Sequence, residues 1–324
     1  MNILVTGGAG YIGSHTIRIL LEQGHKVVVI DDLSTGYREA LPDDVVFLQG
    51  SFDDPTLLGL AWGEYKVEAV FHFAASINVE ESKRQPFKYF ENNFLRTMRL
   101  LENMQKHDIG KLIFSSTSCV YLESETPVTE EAPKLPHNPY GQSKLMCEWL
   151  IQSLQKSWPN FRYTALRYFN VAGAEPDGSN GQIYPQAPHL IKRSSQAALG
   201  KIADFKIYGT DYNTADGTCI RDYVHVKDVA LAHAASLNYL LQGGPSDTFN
   251  CGYKKGFSVR EVVEMMQEIS PRQFDVRFGP RRPGDPSQLI ADNQKIISKL
   301  GWIPQYNDLK MICKSALDWE AKIH

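Results

Sequence analysis

The segment Asn2-Ile3-Leu4-Val5-Thr6-Gly7-Gly8-Ala9-Gly10-Tyr11-Ile12-Gly13, NILVTGGAGYIG, runs an apolar strand-like stretch straight into glycines three residues apart, with a helical pattern near 11–23 behind them. Each of Gly7, Gly10 and Gly13 stands where a Cβ would obstruct something: the tight turn, the approach of a pyrophosphate, or the packing of helix on strand. A helix that begins there turns its free N–H groups toward an anion. A second run, KVVVI (26–30), leads into Asp31 and Asp32, and an acid at that distance meets an adenosine ribose hydroxyl. A glycine turn alone is weak evidence; strand, turn, helix and acid in this order predict a dinucleotide site. The carboxylate of Asp31 repels a 2′-phosphate, so NAD is expected over NADP.

Outward from this segment the alternation continues through VVFLQ (45–49), VEAVFHF (67–73), a helix near 87–106, KLIFSS (111–116), a helix near 140–156 and YTALRYF (163–169). Strands apolar on both faces and separated by helices predict an α/β fold, a Rossmann-type doubly wound parallel sheet. From about residue 170 the chain turns rich in Gly, Pro, Asn and Asp (NVAGAEPDGSNGQIYPQAPH). There follow a helix near 188–199, FKIYG (205–209), helices near 226–241 and 258–269, the basic FDVRFGPRR (274–282) and a helix near 307–322. The expected division is a dinucleotide-binding domain over 1–170, with segments near 222–250 returning to it, and a smaller C-terminal α/β substrate-binding domain over 171–324.

The 324 residues are 43% hydrophobic and 22% charged, with a formal net charge of −3. Such a balance predicts a globular chain with no basic field for nucleic acid or an anionic membrane. No run of 18 apolar residues and no basic leader precede or interrupt the first strand, which points to an unsecreted protein. Five scattered cysteines without C-x-x-C pairing argue for reduced thiols in the cytoplasm and against a disulfide frame or a metal site.

The stretch His137–Lys144, HNPYGQSK, sets a proline at a helix start and then Tyr140 and Lys144 four residues apart. Residues at that spacing share one helix face. An ammonium beside a phenol favours the phenolate, making Tyr140 a candidate base. FSSTS (114–118) ends the preceding strand at the ligand-binding edge of the sheet, where the hydroxyl of Thr117 or a neighbour can hold a substrate oxygen.

TGGAGYIG, SSTS and YGQSK together resemble the extended short-chain dehydrogenase/reductase family. HFAAS, FENN, LRYFNVAGA, DGTCIRDYVHVKDVA, FNCGY and RRPGD are similar, in the same order, to its UDP-hexose 4-epimerases. The resemblance implies oxidation of a sugar hydroxyl by NAD, turning of the ketone, and reduction on its other face. It implies Thr117, Tyr140 and Lys144 as the catalytic triad. Besides the glycines, it places Tyr11, Ile12, Asp31, Asp32, Ser51, Phe52, Phe73, Ala74, Ala75, Asn92 and Phe169, with Tyr140 and Lys144, around the cofactor. Asn170, His189, Leu190, Tyr208, Arg221, Arg282, Asp285 and Leu289, with Thr117 and Tyr140, meet the UDP-sugar, and either Arg281 or Arg282 takes a phosphate.

Related 4,6-dehydratases need a carboxylate beside the strand-end hydroxyl, and Thr117-Ser118-Cys119-Val120-Tyr121 has none. Epimerases of UDP-arabinose and UDP-xylose remain alternatives, as does a non-catalytic NAD-sensing regulator, which could lose the triad kept here. The chain departs from the epimerase pattern at Ser51, where an adenine-binding Asp is common, at Ile77, and at Leu122, where glycine is usual. Leu289 stands where a large aromatic is associated with excluding N-acetyl groups, so some tolerance of UDP-N-acetylglucosamine is expected. The resemblance also implies a homodimer built on the helices near 87–106 and 140–156, through Phe90, Phe94, Met98, Leu101, Met146, Trp149 and Leu150.

Overall fold

Along Asn2–Thr6 (β1) and Lys26–Asp31 (β2), alternate side chains point to opposite sides of the sheet, and both sides are buried. Leu4, Val28 and Ile30 join Trp62, Leu100, Met104 and Ile151 in one core. Ile3, Val5, Val27 and Val29 join Ile17, Leu20 and Leu237 in another. These strands therefore form the middle of a sandwich of helices, as their continuous apolar sequence requires. The protein is described here by a computed structural model covering residues 1–323; His324, the last residue of the expected second domain, lies outside the described residues.

The remaining strands are Val46–Gln49 (β3), Ala69–His72 (β4), Lys111–Ser115 (β5), Arg162–Tyr168 (β6), Asn170–Ala172 (β7), Lys206–Tyr208 (β8), Ile220–His225 (β9), Asp247–Cys251 (β10), Gly256–Ser258 (β11), Arg277–Gly279 (β12) and Gln288–Leu289 (β13). The main sheet is parallel throughout, in the order β10-β6-β5-β4-β1-β2-β3. The chain order reverses between β1 and β4, which opens a crevice at the carboxyl ends of those strands. β10 pairs with β6, and the helix Val226–Leu241 packs on Tyr11–Glu22 through Ile19, Ala230 and Ala234.

A smaller sheet is centred on β9, with β7 and β13 parallel to it and β11 antiparallel; β8 pairs with β12 alone. One residue, Phe169, separates β6 from β7. The chain thus first passes from the large sheet to the small one at this corner, and Phe169 and Asn170 there line the site.

The helix expected near 87–106 is divided. Pro86–Tyr89 runs into a π-helical turn, Phe90–Leu95, before regular helix resumes over Arg96–Lys106. The wider turn re-aims the side chains it carries, here Asn92 and Asn93. Pro139 opens the helix Pro139–Ser157, and the preceding Asn138 caps it by accepting from Gly141 N at 2.8 Å. Leu122 needs no glycine-like backbone: among the described residues, positive φ outside glycine falls on Leu33, Lys66, Asp108 and Lys254.

Candidate active site

A single cavity of about 1430 Å³ lies along the carboxyl ends of the large sheet and under the smaller one. Its volume exceeds the roughly 300–1,000 Å³ usual for one small ligand, which suits a dinucleotide and a second nucleotide together.

At one end the glycine turn behaves as its spacing predicts. Gly7 has φ +70°, and a Cβ on it would lie 2.5 Å from Ala74 N; one on Gly13 would lie 2.6 Å from Gly7 O. Neither contact is possible, so the turn admits glycine alone at both places. Asp31 Oδ2 accepts from Ala9 N and Oδ1 from Leu33 N, both at 2.9 Å. Burial pushes its pKa up while those two N–H groups pull it back; the carboxylate keeps lone pairs for a diol. Tyr11, Ile12, Asp32, Phe52, Phe73, Ala74, Ala75, Asn92 and Phe169 line the same cavity.

Two expected residues do not reach the cavity wall. Ser51 turns its hydroxyl onto Asp53 Oδ1 at 2.5 Å, leaving Gly50 and Phe52 to face the cavity. Lys144 lies one helical turn deeper than Tyr140, donates to Ser115 O at 2.8 Å, and rests 4.9 Å from the centre of the Phe114 ring. Burial lowers its pKa to about 8.

Tyr140 is the group exposed to the reacting end. Burial pushes its phenol well above the ordinary 10, Tyr168 and Cys119 add to this, and the Thr117 hydroxyl pulls it down. The lowering expected from Lys144 is not among the influences on this phenol: sharing a helix face sets direction, while depth sets the solvation that governs the pKa. Thr117 itself is oriented by accepting from Cys119 N at 3.1 Å.

The opposite wall carries Asn170, His189, Leu190, Tyr208, Arg221, Arg282, Asp285 and Leu289. Arg221 Nη2 donates to Asp285 Oδ1 at 2.5 Å and to Pro286 O at 2.7 Å. The adjacent arginines part ways. Arg281 is held by Asp211 and over the Tyr212 ring, whereas Arg282 lies 4.3 Å from the centre of the Tyr208 ring and lines the cavity. Leu289 borders the cavity while packing with Val120, Tyr121, Leu145 and Phe169.

Some supporting residues gave no signal in sequence. Asn93 accepts from Ser76 N at 2.7 Å and donates to Ser143 Oγ at 3.1 Å, pinning the loop after β4 to the Tyr140 helix. Behind Thr117, buried Arg167 binds Glu148 through two nitrogens, at 2.9 and 2.5 Å, and Tyr121 OH at 2.6 Å. Ser116 Oγ also donates to Glu148, at 2.5 Å. An Arg and a Glu nineteen residues apart offer no pattern to read until β6 is laid beside the helix.

The glycine cradle, the acid at the end of β2 and the phenol beside Thr117 coincide with a family signature, since residues 3–252 match the model of the NAD dependent epimerase/dehydratase family. The chain belongs to that family. Among its members, a UDP-glucose 4-epimerase of Azospirillum brasilense is 48% identical over 99% of this chain and 92% of its own length. The crystal structure of UDP-glucose 4-epimerase from Brucella ovis in complex with NAD superposes with a TM-score of 0.94 at 40% identity, covering 98% of this chain and 97% of that one. The UDP-Glc/GlcNAc 4-epimerase of Campylobacter jejuni does so with a TM-score of 0.86 at 46% identity, covering 99% of each. The cofactor of this family is NAD, and the chain's residues fit it. Gly7, Gly10 and Gly13 bring bare backbone to the cavity beside the start of the first helix, where a pyrophosphate would be held, and Asp31 lines the same cavity at the end of β2, where it would meet a ribose diol.

Proposed function

We propose that this chain is an isomerase that interconverts UDP-glucose and UDP-galactose at C4. The observation that carries this is the pairing of Tyr140 and Thr117 at the dinucleotide end of the cavity, with no carboxylate in the turn 117–121. The nearest following acid, Glu123, borders the cavity, but it is exposed and accepts from Ser287. A single base suffices for epimerisation, whereas elimination needs a further acid.

Bound NAD would supply the redox chemistry, taking a hydride from C4 and giving it back. The protein's part is proton traffic and positioning. Thr117 holds the 4-oxygen, and Tyr140 removes its proton and later returns one. Arg282, Arg221 with Asp285, Asn170, Tyr208 and the helix opening at Leu190 anchor the UDP, so that the 4-keto sugar turns while the nucleotide stays. Lys144 supports this from behind, by holding the end of β5 through Ser115 O.

Leu289 favours a wider substrate range that includes the N-acetylated UDP-hexoses, because it meets the cavity with a side chain shorter than an aromatic one. Leu289→Tyr should lower turnover of UDP-N-acetylgalactosamine relative to UDP-galactose by roughly threefold or more; an unchanged ratio removes it as gatekeeper.

The dinucleotide part is proposed to comprise 1–170 plus the returning segment near 222–250, and the rest the UDP-sugar part. A homodimer is supported by Phe87 and Trp149, 87% and 56% exposed on the two helices concerned. Leu101 is 1% exposed within its own core and contributes nothing there. A cytoplasmic setting accords with five unpaired cysteines; no described helix is long and apolar enough to cross a membrane.

The test is to incubate purified protein with UDP-galactose, with and without added NAD, and identify products by NMR. Appearance of the 4-epimer is expected. Its absence under both conditions would overturn the assignment.

A further inference from the structure

Arg282 stands at the start of an exposed turn between β12 and β13. Asp285 N donates to Arg282 O at 3.1 Å and Gly284 has φ +75°, so the chain reverses tightly between two residues that line the outer wall. Arg282, Pro283 and Gly284 are all exposed and belong to neither strand. The ends of the turn are fastened from their own side, Arg281 to Asp211 and Arg221 to Asp285 and Pro286 O. Its middle is held from across the cavity. Lys83 Nζ donates to Pro283 O at 2.8 Å, the one hydrogen bond among the described residues that 281–286 receive from the first 170.

The reach of Lys83 is prepared by its own element. It lies in the short helix Val79–Arg84, which Asn78 caps by accepting from Glu81 N at 3.0 Å. Buried Tyr89 donates to Asn78 O at 2.6 Å, tying the helix start to the wall behind it. Glu80, one turn back from Lys83, accepts from the same Nζ at 2.9 Å and steadies it. Lys83 and Gly284 both line the cavity and are both exposed, so the bond to Pro283 crosses the rim. We propose that Lys83 is a positioning residue for the outer wall: by holding Pro283 O it keeps the neighbouring Arg282 aimed at the phosphates of the UDP-sugar. The inference rests on the reading of Arg282 as a phosphate anchor, and it assigns the placement of that anchor to a residue of the opposite wall.

The test titrates the full-length protein calorimetrically with UDP and with uridine, which lacks the phosphates. Lys83→Met should weaken UDP about fivefold, as befits one exposed charge-assisted bond, and leave uridine within about twofold. Lys83→Arg should recover most of the loss. In an Arg282→Ala background, Lys83→Met should weaken UDP by less than about twofold, because no guanidinium is left to position. A full, independent loss in that background would overturn the inference, since Lys83 would then be meeting the phosphates itself. An equal loss for uridine would also overturn it, as would unchanged UDP affinity in Lys83→Met where Arg282→Ala alone is weakened. If Arg282→Ala leaves UDP affinity unchanged, the anchor reading fails and takes this inference with it.

Discussion

The two walls of the cavity are built on opposite terms. On the inner wall Thr117, Tyr140 and Lys144 are 5%, 7% and 3% exposed, and behind them Arg167, Glu148, Ser116 and Tyr121 are joined by hydrogen bonds. On the outer wall Tyr208 is 37% exposed, and Asn170, His189 and Arg282 are open to the cavity. The inner wall spends its polar groups on one another and so fixes a single geometry, as proton transfer requires. Apart from Arg221, which is held by Asp285 and Pro286, the outer wall leaves its donors open to the cavity, which suits a nucleotide held at several points while its sugar turns.

The strongest way to break this contrast is Tyr140→Phe. Its kcat should fall by about 10²–10⁴-fold, while UDP affinity measured by calorimetry stays unchanged. A variant that turned over as fast as wild type would end the catalytic reading of the inner wall.

Next comes the network behind it. Glu148→Ala leaves the Arg167 guanidinium buried and short of its partner, so denaturant unfolding should register a loss of about 3–5 kcal/mol. A loss under about 1 kcal/mol would show that the inner wall does not depend on this pair.

The sign of the pH effect sharpens the same point. Burial lets the folded state release the Lys144 proton near about 8 instead of at 10.5. Below that pH the fold carries the penalty of a buried ammonium; between the two values the unfolded chain holds more protons and stability rises with pH. Lys144→Met should therefore gain stability relative to wild type most clearly at neutral pH, by about 1–3 kcal/mol before any loss from the Ser115 hydrogen bond, and the difference should shrink toward 10.5. A stability difference independent of pH would contradict the sign.

The smallest effect belongs to the outer wall. Arg282→Ala should raise KM for a UDP-sugar about tenfold with kcat within about twofold. A kcat loss matching the KM change would dissolve the distinction between the walls.

How much of this could be read beforehand varies by residue. Gly7, Gly13 and Asp31 were legible because their constraints are local: a turn that excludes Cβ, and an acid at the end of the next strand. Tyr140 and Thr117 were legible because a helix start and a strand end place them. The partners of Ser51 and Lys144 were not legible, since whether a side chain meets the cavity or a neighbour depends on Asp53 and Ser115, which spacing does not place. The π turn that aims Asn92 and Asn93 likewise escapes a helical periodicity. β10 was not read as a strand, because Asp247–Cys251 is short and mixed in character.

The amino-acid sequence by itself determined the doubly wound sheet, the dinucleotide turn and the phenol's place beside the strand-end threonine, because each depends on interactions within a few residues or on the repeating burial of strands. Only the tertiary structure decided which of Arg281 and Arg282 faces the cavity, that burial raises the phenol of Tyr140, and that Arg96 meets Ser51 at the exit of β3. These outcomes turn on charge, depth and partners brought together from distant parts of the chain, and Coulombic and solvation energies act through space.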